Sequence, residues 1–312
     1  MDRYHLQQAI KHTVLWIVNH AILFLNLFLV LTPLFWMVLA SFSPGRLLTS
    51  VRIPFAMFRA LFRLDFPGVV EGFQAFTANL TLEQYEYLFT YRGTSNQVLS
   101  DYWEAFSVSL YVAILNTVLV VILSSLVGFA FSRYKFIGKK RVLLTFMGLQ
   151  MFPAFMGMIA LFMLFRQFGF LNNPTALSLI YVTGAIPYNT FIIRGFMRNI
   201  PKSLDEAAAI DGANNLQIMT KIIIPLAVPI MGFVAVNAFM APWMDYILPS
   251  IIMPQVNTLA VWLFRLSDPL GAVYSPLAFM AGALFIAVPI MIVQVYMQRF
   301  VVYGLTAGAD KG

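Results

Sequence analysis

Residues Ala105 to Ser132 read AFSVSLYVAILNTVLVVILSSLVGFAFS, a run without a single charged side chain. About 20 mostly apolar residues in helical conformation cross the hydrocarbon layer of a bilayer. The run therefore predicts a membrane-spanning helix. Working outward from it, five more stretches meet the same requirement. They are Val14 to Ala40, with Asn26 and Pro33 inside it, Val142 to Phe165, Thr175 to Ile193, Ile222 to Pro249, and Ser275 to Gln298. The bulk composition agrees. Of the 312 residues 60% are hydrophobic and 11% charged, the mean hydropathy is +0.80, and a soluble domain carries about 25% charged residues. The fold class expected is an all-α integral membrane protein with six transmembrane helices. No short-period repeat or low-complexity tract interrupts it.

Charge fixes the expected orientation. With both termini in the cytoplasm, the cytoplasmic segments hold 13 of the 20 Lys and Arg residues and five of the acids. The two short external loops hold one basic residue each, Arg166 and Arg265. The other five lie in the long segment between the first two spans, and long loops translocate largely regardless of charge. The N-terminal apolar run exceeds the 7–15 residues of a signal-peptide core and leads into Ser41-Phe-Ser-Pro44 rather than a cleavage site, so it reads as a retained helix. The segment from Ser41 to Trp103 carries Pro54, Pro67, Gly68 and Gly72 and an amphipathic stretch around Leu80 to Phe89. Its recurring aromatics predict a small folded cap. The pI of 9.6 reflects basic residues in short loops, which orient spans, and no nucleic-acid partner is expected. No cysteine is present, which excludes disulfides, thiol catalysis and thiolate metal sites. His5, His12 and His20 lie on one helical face without an acidic partner nearby, and no metal site is expected there.

The most informative polar stretch lies between the fourth and fifth spans. It reads Asn199-Ile-Pro-Lys-Ser-Leu-Asp-Glu-Ala-Ala-Ala-Ile-Asp-Gly-Ala213 and continues to Pro225. Ser203 with Glu206 three residues on has capping-box spacing. Ala207, Ala208 and Ala209 favour helix, and Gly212 would end it in a left-handed turn. Asn214 would cap a second short helix through Lys221, and Pro225 falls in the first turns of the next span. Two short helices at the cytoplasmic face are predicted. Their small residues at Ala207, Ala208 and Gly212 would let another surface approach closely.

This stretch resembles the EAA motif of binding-protein-dependent ABC importers: Glu-Ala-Ala, three residues, Gly, nine residues, Ile, one residue, Leu-Pro. Glu206, Ala207, Ala208, Gly212, Ile222 and Pro225 fit, and Ile224 replaces the Leu. Asp211 and Ala213 complete the Asp-Gly-Ala form, and Met219 stands where sugar-permease relatives usually carry Phe. Pro33-Leu-Phe-Trp36 with Ser41-Phe42, Phe131-Ser-Arg-Tyr-Lys-Phe-Ile-Gly138, and Pro187-Tyr188 with Arg194 and Phe196 are similar to sugar permeases. Tyr303-Gly-Leu-Thr-Ala-Gly308 resembles the tail of the maltose-type second permease subunit.

The resemblance implies a carbohydrate importer's permease, with an external cap at 41–103, a core at 104–300 carrying five of the spans, and a cytoplasmic tail at 301–312. The first span, preceded by a short tail, occupies 1–40. Implied partners are a second permease subunit, two ATPase subunits, an external solute-binding protein, the lipid bilayer and a sugar substrate. The location implied is the bacterial inner membrane. Ser203, Asp205, Glu206, Ala207, Ala208, Asp211, Gly212, Ala213, Met219, Ile222 and Pro225 would form the coupling loop set into the ATPase. Gly304, Leu305, Thr306 and Gly308 would contact it from the tail. The chain would be no enzyme and bind no cofactor, since ATP and Mg would sit on the ATPase subunits. It carries no Gly-x-x-x-x-Gly-Lys-Ser/Thr phosphate loop. A permease for glycerol phosphate or a polyol, and an ATP-independent carrier or channel, are the alternatives. Asn116, Gln150, Asn189, Asn237 and Gln294 are polar groups inside spans that read as interhelical hydrogen bonders. Asp245 reads as interfacial, beside an aromatic belt of Trp243 and Tyr246.

Overall fold

The computed structural model of the chain describes residues 3–45, 47–48, 51, 59–60, 63–90, 102–269 and 274–309; the side chains of 3–11, 101, 154, 297 and 299–312 lie outside that description. All regular elements among the described residues are helical. The chain divides into two compact units, Met1–Tyr91 with Pro269–Phe285, and Arg92–Asp268 with Ile286–Gly312.

In the first unit α1 (Arg3–Ser41) is the N-terminal span, longer at its start than the expected Val14 to Ala40. Its apolar side chains point all round, with Leu23, Phe24 and Phe28 each more than 60% exposed, as on a helix whose solvent is lipid. The polar residues within it are satisfied internally. Asn26 donates to the Ile22 carbonyl at 2.9 Å and Thr32 to that of Phe28 at 2.6 Å, so neither presents an orphan group to hydrocarbon. Two short helices follow, α2 (Phe66–Thr77) and α3 (Glu83–Thr90). The second is fastened to the end of α1. Gln84, 2% exposed, donates to the Ser43 and Gly45 carbonyls, and the Tyr85 hydroxyl donates to Ser41 Oγ at 3.1 Å. These bonds hold α3 against the end of α1.

The second unit holds α4 (Tyr102–Arg133), α5 (Lys139–Gln150), α6 (Ala154–Gln167) and α7 (Pro174–Asn199), then the short α8 (Ser203–Ile210) and α9 (Asn215–Ile218). A π-turn at Met219–Ile223 joins α9 to α10 (Ile224–Met244). Next come α11 (Ile247–Ile252) and α12 (Leu259–Ser267), and α13 (Pro276–Ala309) contributes its later part. Helices α4 and α7 cross closely at Gly128, where an added Cβ would lie 2.9 Å from Ile193 Cγ2 and 3.3 Å from the Arg194 nitrogen. A small residue at the crossing lets the backbones approach, which drives helix association where no hydrophobic effect operates. Asn116 of α4 is fully buried and donates to the Ala238 carbonyl of α10.

Five described helices are long and apolar enough to span a membrane, and the pair α5 and α6 makes a sixth if counted as one bent span. The predicted third span, Val142 to Phe165, falls on two helices that are bent by 95°. Pro153 supplies the cause. It has no N–H to donate and steers the preceding Phe152 away from helical dihedrals. The Gln150 amide donates to the Gly184 carbonyl of α7 at 3.0 Å, securing the bend. The fifth predicted span also ends early, at Met244 rather than Pro249. Asp245 leaves the helix with ψ 129°, accepts the Ile247 N–H at 2.9 Å and the Tyr181 hydroxyl at 2.7 Å, and starts α11. Trp243 belongs to no aromatic belt: it is fully buried, stacks on Phe239 and donates its indole N–H to the Ile286 carbonyl at 3.3 Å. The stretch carrying Arg265 is helical, not loop. Its apolar face at Leu259, Trp262, Leu263 and Leu266 is buried. The predicted tail at 301–312 continues α13 as helix to Ala309.

Candidate functional site

The polar loop between α7 and α10 adopts the two-helix form its sequence predicts, with one capping device moved. Lys202 already has helical dihedrals, φ −69° and ψ −21°, and no side chain caps α8. Ser203 is therefore the first helical residue rather than the cap, and its capping box with Glu206 does not form. The box appears one helix later. Asn214 Oδ1 accepts the Gln217 N–H at 2.9 Å, and Gln217 Oε1 accepts the Asn214 N–H at 2.8 Å. Two facing side chains thereby satisfy two end-of-helix donors. Between the helices Gly212 has φ +83°. Its N–H reaches the Ala209 carbonyl at 3.1 Å and that of Ala213 reaches Ala208 at 2.9 Å, the left-handed turn expected of a glycine closing a helix. A Cβ at Gly212 would meet nothing within 4 Å, so the turn requires glycine for its dihedral and not for space within this chain.

The second helix differs from expectation at its end. It does not stop at Lys221 but widens into the π-turn and enters α10. Pro225 lies at the second position of α10 and offers no N–H to the Lys221 carbonyl. Its ring would crowd that carbonyl in an α-turn, and the wider turn relieves this.

The candidate residues divide between two faces. Ala208, Ala213, Met219 and Ile222 face inward, against the cluster of Met197, Ile200, Ile218 and Ile223 between α4, α7 and α10. Met219 is 8% exposed, so it seats the loop on its own bundle. Ser203, Glu206, Ala207, Asp211, Gly212 and Pro225 face outward and are exposed. Asp205 does neither. It pairs with Arg133 at the end of α4, Oδ2 to Nε 2.6 Å, with side chains 19% and 6% exposed. The same guanidinium donates to the Met197 carbonyl at 3.1 Å and the Ile200 carbonyl at 3.2 Å, thereby satisfying carbonyls at the C-terminal end of α7. Sequence reading passed over Arg133 and the three apolar residues of the outer face, Leu204, Ile210 and Leu216, which are 42%, 87% and 65% exposed. The signal for Arg133 was a cation at the end of a charge-free span, but its partner lies 72 positions away. For Ile210 the signal was an apolar residue at the tip of a polar turn. Side chains of Gly304, Leu305, Thr306 and Gly308 lie outside the described residues, and only their helical backbone is placed.

The profile of the binding-protein-dependent transport system inner membrane component family matches residues 121–302, a stretch that contains the whole loop. The chain belongs to that family. Among its relatives, the galactooligosaccharides transport system permease protein GanQ of Bacillus subtilis is 37% identical, with 91% of each chain covered. The maltodextrin transport system permease protein MdxG of the same organism is 36% identical over 81% of this chain and 85% of the relative. The maltose/maltodextrin transport system permease protein MalG of Vibrio vulnificus is 32% identical over 94% and 95%. A solved bacterial ABC transporter involved in the import of the acidic polysaccharide alginate has the same fold, with TM-score 0.69 at 20% identity over 93% of this chain and 97% of that one. The chain is a multi-pass ABC importer permease. Its loop presents an outward ridge of two acids, small residues and three apolar side chains on a base held by a buried ion pair.

Proposed function

We propose that this chain forms half of the translocation pathway of an ATP-driven importer for a carbohydrate, an oligosaccharide as the galactooligosaccharide and maltodextrin systems of its relatives suggest. The observation that carries the reading is the division of the loop into two faces. Its inner face and Asp205 are fixed to α4, α7 and α10. Its outer face leaves Ile210 87% exposed at the tip of a left-handed turn. Apolar surface so displayed on a water-facing loop marks a partner surface. The partner proposed is an ATPase subunit whose groove receives Leu204, Glu206, Ala207, Ile210, Asp211 and Gly212. Hydrolysis of ATP with Mg belongs to that subunit, and this chain binds neither.

Closure of the ATPase pair would push the loop. Because Arg133 ties Asp205 to α4 and to the last carbonyls of α7, the push reaches two spans at once, and the π-turn carries it into α10. Those helices move together against a second, different permease subunit, opening the pathway alternately to each side. An external solute-binding protein delivers the sugar, and the assembly lies in the bacterial cytoplasmic membrane. Deleting this chain should abolish cellular uptake of at least one labelled oligosaccharide among galactooligosaccharides and maltodextrins, and expressing it again should restore it. Unchanged uptake of both would overturn the substrate class. A purified chain with no ATPase subunit bound would overturn the importer assignment.

A further inference from the structure

The loop between α4 and α5 and the adjoining face of α7 form an open cleft of about 650 Å³ that takes no part in the transport mechanism above. Four cations line it: Lys139, Lys140 and Arg141 from the first turn of α5, and Arg194 from α7. Arg198 and Lys202 also lie close enough to repel Lys139. No Asp or Glu is among the lining residues, and Asp205, an acid of the neighbouring loop, is engaged by Arg133. Helix stability does not explain the cluster, because cations in a first turn oppose the helix dipole. Membrane orientation asks only for basic residues on one side and does not require them to converge. The remaining walls are apolar: Ile137 is fully exposed and Leu144 is 56% exposed.

We infer that this cleft binds an anionic glycerophospholipid of the cytoplasmic leaflet, its phosphodiester among Lys139, Lys140, Arg141 and Arg194 and its acyl chains against Ile137 and Leu144. The charges need a counter-anion, and the apolar walls beside them fit a ligand with a tail. A soluble phosphate would leave those walls bare. Each cation near an anionic leaflet is worth about a fivefold preference. The inference is independent of which solute the importer carries.

The test uses the full chain with whatever subunits accompany it, placed in nanodiscs of equal phosphatidylglycerol and phosphatidylcholine, with retained lipids counted by native mass spectrometry. Phosphatidylglycerol should be enriched over phosphatidylcholine. The pair Lys140→Gln with Arg141→Gln should cut that enrichment roughly tenfold or more. A pair with the same charge loss away from the cleft, Arg166→Gln with Lys221→Gln, should leave it intact. Added inorganic phosphate should not displace the lipid. Equal enrichment in the cleft pair and wild type would overturn the site. Displacement by phosphate would make it a soluble-anion site instead. Unchanged lipid with loss of an accompanying protein subunit would assign the cations to a protein partner.

Discussion

Gly212 separates two demands that usually coincide. Its φ of +83° costs any L-residue with a Cβ about 1–2 kcal/mol, whereas the space around it in this chain is open. Asparagine tolerates the left-handed region better than other residues. If the turn alone matters, Gly212→Asn should retain most uptake. If a partner surface presses on the turn, Gly212→Asn and Gly212→Asp should both lose uptake while membrane abundance stays near wild type. We expect the second outcome. Wild-type uptake with ATPase still bound in Gly212→Asp would sink the claim that this turn transmits the stroke. The Arg133–Asp205 pair acts on stability instead. Removing one partner of a buried pair costs about 3–5 kcal/mol, and the low end applies because Asp205 keeps 19% of its surface exposed. Arg133→Gln should lower the thermal melting point of the detergent-solubilised protein more than Asp205→Asn does. The asparagine variant leaves the guanidinium on the Met197 and Ile200 carbonyls, whereas the glutamine variant abandons all three partners. Equal shifts would mean that the carbonyl contacts contribute nothing.

The π-turn between α9 and α10 sets the rotation of the loop about the axis of α10. Adding or removing one residue in a helical turn rotates everything beyond it by roughly 100°. Pro225→Ala restores the missing N–H and allows the turn to tighten to α-helical pairing. Uptake should fall with the spans still inserted, and a cysteine at Asn214 should change its labelling rate. An unaltered rate would show that the turn is held by packing of Met219 and Ile223 rather than by the proline. The left-handed turn at Gly212, the cap at Asn214 and most spans were legible in the sequence, because apolar run length, glycine and asparagine each act locally. What escaped was non-local or set by competition. The bend of the third span at Pro153 escaped because apolar residues continue on both sides of it, and the Gln150–Gly184 bond that holds it joins positions 34 apart. Trp243 beside Asp245 has the composition of a membrane-interface belt, and only the fold reveals that its indole meets the Ile286 carbonyl. Ser203 has the right residue three positions later, but Lys202 enters the helix first.

For the molecule as a whole, the sequence expectation of six spans with both termini in the cytoplasm makes a direct prediction. With no native cysteine, single-cysteine variants are labelled without background. Gln74→Cys, exposed on α2, should react with an impermeant maleimide added outside intact cells, and Ser203→Cys should react only after the membrane is opened. The reverse pattern would overturn the topology. The same variants, each expressed with and without a second, different permease subunit, should accumulate in the membrane only when both are present if the pathway is heterodimeric. The fastening of the loop also bears on how such permeases could be recombined. A segment spanning 199–225, grafted onto another permease to redirect it to a foreign ATPase, would carry Asp205 away from Arg133 and bring Met219 to a pocket shaped for a different side chain. The transplantable cassette therefore extends beyond the contiguous stretch. It includes position 133 and the core positions under Met219, and exchange of these together should preserve membrane yield where exchange of the loop alone lowers it.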